Sequence, residues 1–78
     1  MQDSLTKHIN DLSLLEVDDV NLDGSLLYLA YAEAGQINTR CAIKRVVVSS
    51  SGVSISYPDG NKMNNYIWNN RTTYNYLQ

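Results

Sequence analysis

The sequence predicts an α+β fold, with one N-terminal amphipathic helix packed on an antiparallel sheet of four or five strands. Three observations predict it. Apolar residues recur at helical spacing near the start, two-residue alternation punctuated by turn dipeptides follows, and 78 residues suffice for a single domain, 1–78, with a single core.

Between Ser4 and Leu15, the residues Leu5, Ile9, Leu12 and Leu15 recur at steps of four, three and three. Lys7, Asn10, Asp11 and Ser13 fall mostly on the opposite side. That is the stripe of a helix with one dry face, and Asp3 or Ser4 stands where a cap is needed. Asn10, Asp11 and Ser13 are weak helix formers, so packing rather than propensity has to hold this helix.

From Val17 onward the pattern is that of strands. Turn signals stand at Asp23-Gly24, Ala34-Gly35, Ser49 to Gly52, Pro58-Asp59-Gly60 and Asn69-Asn70. Ile37 to Val48 places Ile37, Thr39, Cys41 and Ile43 on one face, with Asn38, Arg40 and Lys44 on the other. Val53, Ile55 and Tyr57 alternate with Ser54 and Ser56, the mark of a half-buried strand. Leu26 to Ala34 is apolar almost without a break, which fits a strand buried on both faces or a buried helix; the strand is the reading taken. In the tail, Asn61 to Gln78, the residues Tyr66, Trp68, Thr72, Tyr74 and Tyr76 all hold even positions. This reads as one aromatic face, carried by a long strand or by a hairpin closed at Asn69-Asn70.

Composition excludes several classes. Cys41 is the only cysteine and His8 the only histidine, so there is no intramolecular disulfide and no usual zinc set. Gln2, Asp3 and Ser4 after Met1 do not begin a secretory signal, and no apolar run approaches the roughly 20 residues of a membrane span. A cytoplasmic location is the expectation, and Asn70-Arg71-Thr72 is then read as turn chemistry rather than as a glycosylation site. The net charge of −2 divides unevenly. Residues 1–35 hold seven carboxylates against Lys7, net −6, and residues 36–78 hold five basic groups against Asp59, net +4. Such halves can face each other within one fold or between molecules.

The sharpest local motif runs from Asp19 to Leu26, with oxygen-bearing Asp19, Asn21 and Asp23 at alternate positions, Gly24 at the sixth and Leu26 at the eighth. It resembles the start of a calcium loop of the EF-hand or dockerin type. That resemblance covers eight residues and implies calcium ligands at Asp19, Asn21 and Asp23. At the twelfth position, where such loops need a bidentate carboxylate, stands Ala30, and the ninth is Leu27. The segment is therefore read as an acidic turn leading into a strand.

Nucleophilic catalysis needs a base beside the nucleophile, and no such pairing is legible around His8 or Cys41. No catalytic residue, metal ligand or cofactor is expected, and the chain is read as a non-enzyme. Clustered phosphate-binding lysine and arginine are missing from an acidic chain, which argues against nucleic acid although the tail could stack bases. The expectation is a small binding protein that blocks or masks a site on a larger protein or protein complex, the mode of action of small phage and mobile-element inhibitors. Its contact residues are expected at Tyr66, Trp68, Tyr74, Tyr76 and Arg71, since six tyrosines and one tryptophan exceed what so small a core can hide. The acidic Asp18, Asp19 and Asp23 would offer a second surface, mimicking nucleic acid toward a basic groove. The alternative is a self-assembling structural subunit joined through sheet edges or oppositely charged halves. A single-stranded nucleic-acid module and a calcium module rank behind both.

Overall fold

The computed structural model describes residues 12–78. They form a five-stranded antiparallel meander in which each strand lies beside its neighbour in sequence: β1 (Ser13–Asp19), β2 (Leu26–Ala32), β3 (Ala42–Ser49), β4 (Gly52–Pro58) and β5 (Tyr76–Leu77). The turn residues make this order cheap. Gly24 adopts φ +76°, which a side chain would resist. Its amide donates to both carboxylate oxygens of Asp19, at 3.0 and 3.1 Å, while the Ser25 amide donates to Asp23 at 2.9 Å. Ser49 pairs with Gly52 to close β3 onto β4 across two residues.

The α+β expectation is overturned: the described chain is mainly an antiparallel sheet, and its one helical element is the six-residue 3-10 helix Trp68–Thr73. Residues 4–11 of the expected N-terminal helix lie outside the described residues, but its last positions lie in β1. Ser13 pairs with Ala32 and Leu14 with Tyr31, and a bulge at Leu15 restores the pairing at Glu16 with Ala30. The leucine spacing fits a helix, yet the open edge of β2 offers these residues a ladder of backbone partners along one side. Weak helix propensity concedes to that ladder.

Two further boundaries differ from expectation. β3 starts at Ala42 rather than Ile37, because Thr39 and Arg40 both donate their amides to the Gln36 carbonyl and so curl the chain. The tail is neither a long strand nor a hairpin at Asn69-Asn70. Tyr66 exchanges two backbone hydrogen bonds with Cys41, the 3-10 helix follows, and Tyr76–Leu77 returns along Tyr57 and Pro58.

The tail thereby covers one face of the sheet. Tyr28, Ala30 and Ala32 of β2, Cys41 just before β3, and Ile43 of β3 are buried there together with Trp68, and Ile37, Tyr66, Tyr74 and Tyr76 pack around them. Small side chains on the sheet leave the depth that large rings on the tail fill, which is how close packing is reached with few residues. Tyr66 and Tyr74 meet edge to face at 4.9 Å, and Tyr28 and Tyr76 lie 5.5 Å apart. Trp68→Ala should therefore cost about 3–5 kcal/mol in denaturant unfolding. Val53→Ala, at an exposed position, should cost less than about 0.5 kcal/mol. Equal losses at the two positions would contradict this placement of the core.

Candidate functional site

Strand alternation sends every second side chain to the uncovered face. Register places Leu27 beside Val46 and Val46 beside Ile55 in one row, Val17 beside Leu29 on one side of that row, and Val48 beside Val53 on the other. These seven side chains form a diagonal aliphatic band across β1 to β4. Val17, Val48, Val53 and Ile55 are 52%, 42%, 64% and 41% exposed, while Leu27, Leu29 and Val46 are half-buried. An apolar patch of this continuity is a candidate contact surface, whereas scattered exposed leucines and valines are not.

Charge lies along the two flanks of the band. Asp19, opposite Leu27, borders one side. Lys44, opposite Leu29, borders the other. On that basic flank the Lys44 ammonium stands 5.5 Å from the Tyr31 ring centre and the Lys62 ammonium 5.3 Å from that of Tyr57. Together with Leu12, Ala42 and Ile43 they line a shallow recess of about 310 Å³. Among the described residues neither lysine is ion-paired.

The residues that the sequence marks as contact candidates are placed elsewhere. Trp68 is buried, and Tyr66, Tyr74 and Tyr76 are half-buried on the covered face. The polar ends of Tyr74 and Tyr76 are engaged. The Tyr76 hydroxyl donates to the Arg71 carbonyl at 2.6 Å, and the Tyr74 hydroxyl accepts from the Ile67 amide at 2.9 Å. Arg71 lies one 3-10 turn after Trp68, so its guanidinium stacks on the indole with 4.3 Å to the ring centre. The same guanidinium donates to Asp18 at 2.9 Å and to the Trp68 carbonyl at 3.0 Å. Asp18 is thus drawn into the fold, and Asp19 and Asp23 hold the β1–β2 turn. The structure brings Asp18, Arg71 and Trp68 together; it does not bring them together with Asp19 and Asp23 on one surface.

Two of the oxygen-bearing side chains that resemble calcium ligands are likewise taken up by the chain itself, Asp19 by the Gly24 amide and Asp23 by the Ser25 amide, while the Asn21 side-chain amide nitrogen donates to the Ser25 hydroxyl. Hydrogen bonds from the Ser25 hydroxyl and amide hold the Asp23 carboxyl below its ordinary value. His8 lies outside the described residues. Cys41 is fully buried and burial raises its thiol pKa, the reverse of an activated nucleophile. The aliphatic band escaped the sequence reading, although its signal is present in the alternation of Val53, Ile55 and Tyr57 and in Leu27, Leu29 and Tyr31. What the sequence does not state is which of two apolar faces the tail covers.

The chain matches no known family model, no curated protein and no solved structure. No helix among the described residues is long and apolar enough to cross a membrane.

Two predictions follow from these contacts. A double-mutant cycle with Asp18→Asn and Arg71→Gln should give a coupling of about 0.2–1 kcal/mol, since both groups are about a quarter or more exposed and screened; additive losses would contradict the pairing. Alkaline pH should weaken the fold. Burial raises the Cys41 thiol, and burial and then the neighbouring Tyr28 raise the Tyr76 hydroxyl. Both groups hold their protons more tightly folded than unfolded. Their contribution is present in full below the ordinary thiol value of 9.0 and is lost as pH rises above it, then further above the ordinary phenol value of 10.0. Urea midpoints measured across this range should fall, and Cys41→Ala should remove the earlier part of the fall.

Proposed function

We propose that this is a non-enzymatic binding protein that covers a site on a larger macromolecule, a protein or protein complex, and that the aliphatic band is its contact surface. One observation carries the reading: seven branched aliphatic side chains stand in a row-by-row register on one face of the sheet, uncovered by any of the described residues, with charge confined to the flanks. Apolar centres with polar rims are the anatomy of protein interfaces, and side chains fixed on strands lose little entropy when they are covered. Nucleic acid fits poorly, because a phosphate backbone gains nothing from valine and leucine and two lysines supply little counterion release. A cytoplasmic location belongs to the same proposal, since a lone thiol sealed in the core suits a reducing compartment.

The alternative, a self-assembling structural subunit, draws on the exposed edge of β1 and on the same band. It predicts open-ended growth, whereas a masking protein forms a complex of fixed composition. The test is affinity capture from the native host with the full chain and with Val53→Glu/Ile55→Glu. The unmodified chain should retain a defined larger protein in stoichiometric amount, and the variant, with unchanged circular dichroism, should lose it. Equal retention by both would remove the band from the reading, and open-ended growth of the chain with no larger protein retained would favour assembly.

A further inference from the structure

The arrangement of charge about the band points to what covers it when no larger partner is present. From Val17 on β1 to Val53 on β4 the band crosses three strand spacings and two same-face residue steps, displacements of similar length, so it runs at roughly 45° to the strands. Asp19 lies along one flank, and Lys44 with Lys62 along the other. A two-fold axis laid along the band exchanges the flanks. Each copy's Asp19 then stands over the basic flank of its mate, twice per pair, while aliphatic side chains meet at the centre. Because the axis lies at roughly 45° to the strands, the two sheets cross at roughly a right angle, one of the two packings that twisted sheets favour.

We propose that a second copy of this chain occupies the band, as a closed two-fold dimer with orthogonally packed sheets, until a larger partner displaces it. The proposal rests on the reading of the band as the contact surface and names its resident occupant. Size is consistent with it. Four strands about 4.8 Å apart and about six residues long present roughly 400 Å² in projection, which side-chain relief raises toward the roughly 600–800 Å² per partner of a small specific interface. Such an area supports a reversible, micromolar pair, which is what a displaceable cover requires. The symmetry is isologous, so no unsatisfied band is left to propagate a filament.

Sedimentation equilibrium and light scattering on the full chain are the test. At about 100 μM, well above a micromolar Kd, the mass should be twice 8.8 kDa and should not grow further with concentration. Val53→Glu/Ile55→Glu should give a folded monomer, since both side chains are exposed in the single chain. Lys44→Glu should weaken the pair tenfold or more at low salt by setting like charges on facing flanks, and Lys44→Gln should weaken it less. Val53 lies near the axis and faces its own counterpart, so Val53→Cys should yield a disulfide-linked dimer under mild oxidation while the buried Cys41 does not react. A monomer at this concentration, open-ended growth, or a dimer that survives Val53→Glu/Ile55→Glu would each overturn the proposal. Heteromeric capture from the host can succeed or fail independently of all three, so this proposal and the masking function fail by different results.

Discussion

The rest of the structure depends on the seating of one aromatic cover on one floor of small side chains. Ala30, Ala32 and Cys41 are fully buried although they are short, and only a close approach by the Trp68 segment can bury them. The cover is fastened at both ends by backbone pairing, Tyr66 with Cys41 on one side and Tyr76 with Pro58 on the other. Between these points the 3-10 helix brings Trp68 and Arg71 into line, and Arg71 reaches across to Asp18 on β1. A single segment thereby ties the first strand to the last and closes a meander whose other contacts are between sequence neighbours.

That economy has a cost on the far side. A five-stranded sheet has two apolar faces, and the 18 residues after Gly60 are used to cover one. The chain holds no second aromatic segment. Among the described residues, therefore, nothing lies over Val17, Leu27, Leu29, Val46 and Ile55, which are left half-buried to exposed by the same arrangement that buries Trp68. Apolar residues placed so regularly at strand spacing are costly to keep wet, and the fold gains nothing from their being aliphatic unless something covers them.

Much of this was legible in the sequence and some was not, for identifiable reasons. The turns at Asp23-Gly24, Ser49 to Gly52 and Pro58-Asp59-Gly60 fall where the dipeptides place them, and Leu26 to Ala32 is a strand, as its unbroken apolar row allowed. Leu12 to Leu15 misled because a helical stripe and a bulged strand can share one hydrophobic pattern, and the deciding partner, the edge of β2, is distant in sequence. The even-numbered aromatics of the tail misled in another way. Their common period is real, but it arises from a bridge at Tyr66, a 3-10 turn at Trp68 and a short strand at Tyr76, three conformations that happen to aim the rings the same way. The surplus aromatic residues lie over one face of the sheet, with Trp68 buried and Tyr66, Tyr74 and Tyr76 half-buried.

The charge asymmetry resolves in the same terms. The acidic half offers fewer free carboxylates than its net charge implies, since Asp18 is held by Arg71 and Asp19 and Asp23 are held by backbone amides of their own turn. A carboxylate that accepts a hydrogen bond from an amide of its own turn keeps its charge and its remaining lone pairs, but its position is fixed by that turn, so Asp19 and Asp23 can meet a cation only where the β1–β2 hairpin holds them. Lys44 and Lys62 carry no such commitment among the described residues, and they stand beside apolar rather than acidic neighbours. Electrostatics on this surface can thus set the orientation of a partner, while the free energy of holding it must come from covering the aliphatic band.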